Sequence, residues 1–164
     1  MLEDTLLALR LPAFEGRLRV RQHRHPKFYF SDPGLVRCYR GLLARPLGDE
    51  KGALLEGYVA MLLHAYRDAQ HVCEALYYWS AHGSQVEVAF SLGRADEWLA
   101  IEVKSGSEPR PSWFKGLRAI QALPKVRRRI VVYLGDTPLT TEDGIDILPF
   151  ADFAEALHHG HLWP

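Results

Sequence analysis

The stretch Ile130-Val131-Val132-Tyr133-Leu134 is apolar at every position and reads as a buried strand, and what precedes it limits the fold more than any other feature. Three strand-like runs, residues 72–79, 85–91 and 98–104, are separated by the turn-rich segments 80–84 and 93–97 and read as an antiparallel meander. Between the third run and Ile130 lies a helical stretch with Ser112 as its expected N-cap, running to about Leu123. Strand, helix and strand in that order predict a parallel pair joined by a right-handed crossover. The expected fold class is therefore α/β: a mixed central sheet, with an antiparallel meander and a parallel crossover strand, flanked by helices.

The flanking elements follow from periodicity. Lys27-Phe28-Tyr29-Phe30, followed by Ser31-Asp32-Pro33-Gly34, is a short aromatic strand ending in turn chemistry, and residues 35–43 are expected to be helical. Over residues 50–68, Leu55, Val59, Leu62 and Tyr66 recur at helical spacing beside a second row of Leu54, Tyr58, Met61 and Ala65. Gly52, Gly57 and Ala60 would let this helix lie close against a sheet. A short strand at 145–148 and a helix at 152–157 close the chain. The expected core comprises Leu55, Val59, Leu62, Val86, Val88, Phe90, Ile101, Val103, Val131 and Tyr133.

The chain has 164 residues, with no repeat, low-complexity tract or long linker, so residues 1–164 are read as a single domain. Residues 1–26 are set apart as an N-terminal arm in which Arg17, Arg19, Arg21, His23, Arg24 and His25 alternate with other side chains. An exposed, charge-blunted strand and a phosphate-contacting arm are the two readings of that segment. Lys plus Arg total 20 and Asp plus Glu total 20, so a nucleic-acid partner would have to be held by a local patch. Cys38 and Cys73 suit neither a disulfide framework nor zinc, which fits a reducing cytoplasm. No apolar run approaches membrane-spanning length, so no membrane association is expected.

Chemistry concentrates on two neighbouring strands. Alternation sets Val86, Val88 and Phe90 on one face and Gln85, Glu87 and Ala89 on the other; in the next strand Leu99, Ile101 and Val103 oppose Ala100, Glu102 and Lys104. If the loop Gly93-Arg94-Ala95-Asp96 is symmetric, Glu87 and Glu102 face each other, with Cβ atoms about 5 Å apart. Such like charges need compensation. Oxygen-only ligands suit Mg²⁺ or Mn²⁺, with Glu87 and Glu102 as metal ligands and Lys104 placed for a scissile phosphate or an attacking water. The competing account is a solvated Glu102/Lys104 surface pair, and Glu-x-Lys alone does not choose between the two.

Context extends the pattern. Ile101-Glu102-Val103-Lys104-Ser105-Gly106 resembles the third-strand motif of the PD-(D/E)XK superfamily, whose restriction-endonuclease-like core is a helix, a meander and a crossover helix. More narrowly, Lys27 to Leu35, Gly52-Ala53-Leu54-Leu55-Glu56, Leu76-Tyr77-Tyr78-Trp79 and Ile101 to Gly106 are similar, in order, to the DUF4143 family. The resemblance implies Glu56 as the first-helix acid, Glu87 and Glu102 as metal ligands and Lys104 as the electrophilic lysine, so the catalytic candidates are Glu56, Glu87, Glu102 and Lys104. Glu56 equally suits an exposed helical glutamate or a partner for a basic side chain. The family's second strand usually reads Glu-Val-Asp-Phe, whereas here it reads Gln85-Val86-Glu87-Val88, a departure that bears on catalysis more than on fold.

DUF4143 domains typically sit at the C-terminal end of AAA-type ATPases, which implies an ATPase portion as partner. The chain carries no G-x-x-x-x-G-K-[ST] loop and so looks like the detached C-terminal module. Two functions follow as expectations: a Mg²⁺-dependent nuclease-like domain acting on DNA or RNA, active or vestigial, or a non-catalytic module that binds nucleic acid, a protein or the ATPase portion. The remaining clusters are read blandly. His158, His159 and His161 suit a surface or disordered tail, and Lys125, Arg127, Arg128 and Arg129 suit a solvated connection, with phosphate contact as the alternative.

Overall fold

The computed structural model describes residues 7–14, 25–42, 44–45, 48–81 and 86–164. Arg17, Arg19, Arg21, His23 and Arg24, read above as a possible phosphate arm, lie outside the described residues, as does Gln85. The chain runs β1 (Ala8–Leu11), β2 (Lys27–Phe30), α1 (Pro33–Tyr39), α2 (Asp49–Gln70), β3 (Ala75–Ser80), β4 (Glu87–Arg94), β5 (Glu97–Lys104) and α3 (Lys115–Ala119). It continues through β6 (Val126–Tyr133), β7 (Leu139–Thr140), β8 (Ile145–Pro149) and α4 (Phe150–His158). Strands β3 to β8 form a six-stranded sheet in the order β3-β4-β5-β6-β8-β7, antiparallel through β5, parallel from β5 to β6 to β8, and antiparallel again at β7. The expected mixed sheet, crossover and flanking helices are thus present.

The crossover helix is built differently from expectation. It is a 3₁₀ turn (Pro111–Phe114), the short α3 and a second 3₁₀ turn (Ile120–Ala122), and Ser112 lies inside the first turn with no side-chain cap bond. Phe114, Leu117 and Ile120 from this segment bury against Val88, Ala100, Val131, Tyr133, Ile145 and Ile147 on one side of the sheet. On the other side, Val59, Ala60 and Leu63 of α2 and Phe153 and Leu157 of α4 pack on Phe90, Leu92, Leu99, Ile101, Ile130 and Val132. Three layers result, with the sheet in the middle.

Helix α2 starts at Gly48 (φ +56°), where a side chain would be strained, and ends at His71 in the left-handed conformation, whose N–H reaches Arg67 O at 3.0 Å. Its inward stripe is rotated from the expected one. Val59 is buried as expected, but the innermost leucine is Leu63; Leu55 and Leu62 are only partly buried. Val86 is likewise half-buried, while the other expected core residues, Val88, Phe90, Ile101, Val103, Val131 and Tyr133, are buried. Gly52 and Gly57 do not serve close approach: a Cβ on either would meet its nearest neighbour at an ordinary 3.5 Å.

β1 and β2 form a separate antiparallel ribbon, with Leu9 paired to Tyr29. Just after it, residues 12–14 run along the outer edge of β3, with Phe14 N–H donating to Tyr78 O at 2.7 Å and Tyr78 N–H to Pro12 O at 3.0 Å. At the sheet's opposite edge, β7 is only two exposed residues long. The C-terminal histidines are exposed at the surface, one of the two expectations, and the segment that carries them is packed. His158 lies in α4 with Nδ1 3.0 Å from Tyr66 Oη, Leu162 is fully buried, and Trp163 Nε1 donates to Val72 O at 2.7 Å.

Of the basic cluster, Lys125 closes the connection as expected, while Arg127, Arg128 and Arg129 lie in β6. Lys125 pairs with Asp96, Arg127 with Glu97 and Arg128 with Asp146, and Arg129, nearly buried, donates to Gln121 Oε1 and Asp143 O. Lys125 and Arg127 stay solvent-exposed, as expected, whereas Arg129 is held inside the fold. No helix among the described residues is long and apolar enough to cross a membrane.

The rotated helix face generates a stability test. Leu63→Ala should cost about 2–5 kcal/mol, the usual range for a fully buried leucine, and Leu62→Ala clearly less. Chemical denaturation of the two variants checks this; equal losses would place both on the same face.

Candidate functional site

The meander turn is tighter than a symmetric four-residue loop. Gly93 and Arg94 belong to β4, Arg94 pairs with Glu97, and only Ala95 (φ +54°) and Asp96 make the turn. Gly93 serves packing: a Cβ there would lie 2.8 Å from the Trp98 ring. Phe90 consequently pairs with Ile101, the last pair of the β4–β5 ladder. Glu87 and Glu102 are therefore not cross-strand partners, and the expected direct opposition is corrected. Glu102 is level with Ala89, whose N–H donates to Glu102 Oε2 at 3.2 Å.

A second irregularity turns Glu87. Between β3 and β4 the register passes from Tyr77↔Ser91 to Trp79↔Val88, so β4 carries an extra residue, a β-bulge. The alternation expected for 86–90 breaks there: Val88 packs on the α3 side while Phe90 packs on the α2 side. Glu87 then meets β2, where Lys27 Nζ lies 3.1 Å from its Oε2. Gly116 of α3 seats against the same point, since a Cβ there would fall 2.1 Å from the Glu87 carbonyl oxygen. Only glycine fits that approach.

Where the β4–β5 ladder stops, a cleft of about 330 Å³ opens. Its walls gather Glu56, Glu87, Glu102 and Lys104, all four catalytic candidates, with Lys27, Ser112, Trp113 and Lys115 beside them. The acids are unequally placed: the Glu87 side chain is 46% exposed and that of Glu102 13%. Lys104 Nζ donates to Glu102 Oε1 at 2.7 Å. Tyr29 Oη donates to Glu56 Oε1 at 2.5 Å, and Lys27 Nζ stands 3.8 Å from the same oxygen. Lys27 thus lies between Glu56 and Glu87, and its ammonium also sits 5.2 Å from the centroid of the Tyr78 ring.

Burial raises the Glu102 carboxyl above the ordinary range, opposed by Lys104 and by the Ala89 N–H, with a smaller raising contribution from Glu56. The main cause of the rise is desolvation, with no contribution from repulsion by Glu87. Tyr29 is held protonated by burial and by Glu56, so it acts as a hydrogen-bond donor only.

The donor set for a divalent cation is oxygen-only, as Mg²⁺ or Mn²⁺ would require. In the arrangement seen, Glu87 is engaged by Lys27 and Glu102 by Lys104 and Ala89. Among the described residues no three His, Cys, Asp or Glu side chains are grouped so as to hold an ion. The carboxylates therefore suit a cation chemically, but accept one only if the lysine on Glu87 moves. Two residues of this site, Lys27 and Tyr29, stand in the sequence as part of an aromatic strand and of the family-like segment Lys27 to Leu35, not as site candidates. The signal available was the alternation of Lys27 and Tyr29 with Phe28 and Phe30, which puts both polar ends on one side of β2.

The family described as "Domain of unknown function (DUF4143)" matches residues 51–153. Uncharacterized proteins of Mycobacterium bovis and of Mycobacterium tuberculosis are each 26% identical to the chain over 151 residues, covering 90% of it and 33% of their own length. The chain thus spans about a third of the length of these relatives. No solved structure matches it.

The displaced Glu102 equilibrium sets a pH test. Because its folded pKa is raised, folding is relatively favoured while the carboxyl is protonated, and this advantage is lost as pH rises from the ordinary carboxylate value through the raised one. Glu102→Gln mimics the protonated form. Its melting temperature should exceed that of wild type above this window, and the gap should close below it; a gap that widens toward acid would contradict burial as the dominant cause.

Proposed function

From the premise that this chain belongs to the DUF4143 family, we propose that its Glu56/Glu87/Glu102/Lys104 cleft handles a phosphodiester of DNA or RNA, as a nuclease-like domain with a restriction-endonuclease-like core of the PD-(D/E)XK kind. The observation that carries the reading is the Glu102–Lys104 pair at 2.7 Å, its carboxylate mostly buried and its ammonium about one-third exposed, at the end of a central strand and in the wall of an open polar cleft. A surface pair is worth little and needs no such placement. Desolvating the Glu102 carboxylate is costly unless it is well satisfied, so a site that keeps it charged beside a lysine suggests use rather than support.

In this reading Lys104 holds the scissile phosphate and orients the attacking water, Glu87 and Glu102 are the residues that would hold Mg²⁺ or Mn²⁺, and Lys115 and Ser112 offer donors to the flanking backbone. The cation's contribution, when bound, is to neutralise charge on the phosphate and make water a better nucleophile. Glu56, held by Tyr29, shapes the side of the cleft nearest β2. The setting of this chemistry, in the same reading, is the cytoplasm.

One observation favours a second reading, a non-catalytic module that binds nucleic acid, a protein or an ATPase portion. Every acid of the cleft already has a protein partner, so the site is charge-balanced as it stands. The relatives' extra length leaves room for an ATPase portion as partner.

Metal-dependent stabilisation and cleavage separate the two. Mg²⁺ or Mn²⁺ should raise the melting temperature, since a ligand at a hundred times its Kd adds about 2.7 kcal/mol, and single- or double-stranded DNA or RNA should be cut. Lys104→Ala should keep the cation-dependent shift and lower cleavage by roughly 10²-fold or more. Absence of both the shift and cleavage in wild type would hand the site to the non-catalytic reading.

A further inference from the structure

The charge balance of the cleft depends on a residue outside the matched segment. Lys27 is contributed by β2, which belongs to the β1–β2 ribbon and not to the six-stranded sheet. Its ammonium lies 3.1 Å from Glu87 Oε2 and 3.8 Å from Glu56 Oε1, over the face of Tyr78, and its side chain is 31% exposed. It is therefore held from three sides. Tyr29, two residues on, points the same way and donates to Glu56, while its ring lies 5.9 Å from that of the buried Phe90. The strand is pinned to the core by the tyrosine and delivers the lysine to the acids.

We propose that Lys27 is the resident cation of the Glu56/Glu87 pair, occupying the position in which the site would otherwise need an external one. Two carboxylates facing one partly desolvated cleft repel each other unless a positive charge lies between them, and an ammonium on a short tether supplies it without any ion from solution. Lys27 and a bound divalent cation then compete for Glu87, because both need the same carboxylate oxygens. The competition rests on the metal-dependent reading above; the residence of Lys27 does not.

This also assigns the ribbon a role. It carries a positioning residue, and Lys27 sets how readily the acids become available. An arginine would not reproduce it, since a planar guanidinium forks across one carboxylate rather than standing as a point charge between two.

Melting and calorimetric Mn²⁺ titration of the full chain test both parts, using wild type, Lys27→Met, Glu87→Gln and the double variant, with Lys27→Gln as a less apolar substitute should Lys27→Met fold poorly. Without metal, Lys27→Met should lower the melting temperature by several degrees, and adding Glu87→Gln should recover part of that loss, because the charge left uncompensated is removed. With metal, Lys27→Met should bind Mn²⁺ at least tenfold tighter than wild type. Additive metal-free shifts would overturn the resident-cation assignment. Coupled shifts with Mn²⁺ affinity unchanged or weakened would overturn the competition while leaving the metal-dependent reading standing. Coupled shifts with no Mn²⁺ binding by any variant would support Lys27 as a permanent counter-charge and overturn the metal-dependent reading instead.

Discussion

The parallel pairing of β5 with β6 is the constraint on which the rest of this molecule hangs. Seven residues of β5, Trp98 to Lys104, find partners along β6 while the other edge of β5 pairs with β4. A parallel neighbour obliges the chain to leave the sheet and return, so the segment 111–122 must cross one face, and α2 is left to cover the other. Leu99, Ala100 and Ile101, fully buried between these layers, fix the strand's position. Glu102 and Lys104 then emerge at its far end, where β4 has already stopped pairing. The polar cleft is a by-product of two ladders of unequal length meeting on one strand.

Within that cleft, neutralisation comes from the protein itself. The Glu102–Lys104 pair is local, two residues apart on one strand, whereas the Glu56/Glu87 pair is balanced by an ammonium brought from the N-terminal ribbon. Ion pairs in such surroundings contribute little net stability, because the cost of desolvation offsets the attraction, yet losing one partner strands the other. The cleft therefore imposes a mutual dependence between the ribbon and the sheet. Gly116 adds a steric version of the same dependence, since α3 rests on the Glu87 carbonyl with no room for a side chain.

How much of this the sequence disclosed varies with the range of the interaction involved. Periodicity located α2, the meander, the crossover and β6, because burial of one face leaves a local imprint. The four site candidates share one cleft, as the motif order suggested. Register was not legible. Gly93 carries the composition of a turn residue, but it is small because the Trp98 ring lies across it, a fact stored in a residue five positions away. The bulge in β4 left no imprint either, since Val86, Val88 and Phe90 alternate whether or not an extra residue interrupts the ladder. Lys27 was out of reach for a different reason: its partners are 29 and 60 positions distant in the chain, beyond any periodicity. The partners of the basic cluster at 125–129 were not legible either, because the acids that claim it come from two distant stretches of the chain, 96–97 and 143–146.

The strip at residues 12–14 has a bearing on solubility. β3 is the edge of the main sheet, and its sequence, Ala75-Leu76-Tyr77-Tyr78-Trp79-Ser80, is aromatic, uncharged and without proline, the make-up of a strand that adds readily to other strands. Phe14 and Pro12 occupy backbone positions that a second molecule would need, and Phe14 also places its ring 4.7 Å from Trp98 in an edge-on contact. A fragment trimmed to the matched residues 51–153 would bare that edge, so the N-terminal part of the chain serves as a guard against self-association as well as a supplier of charge.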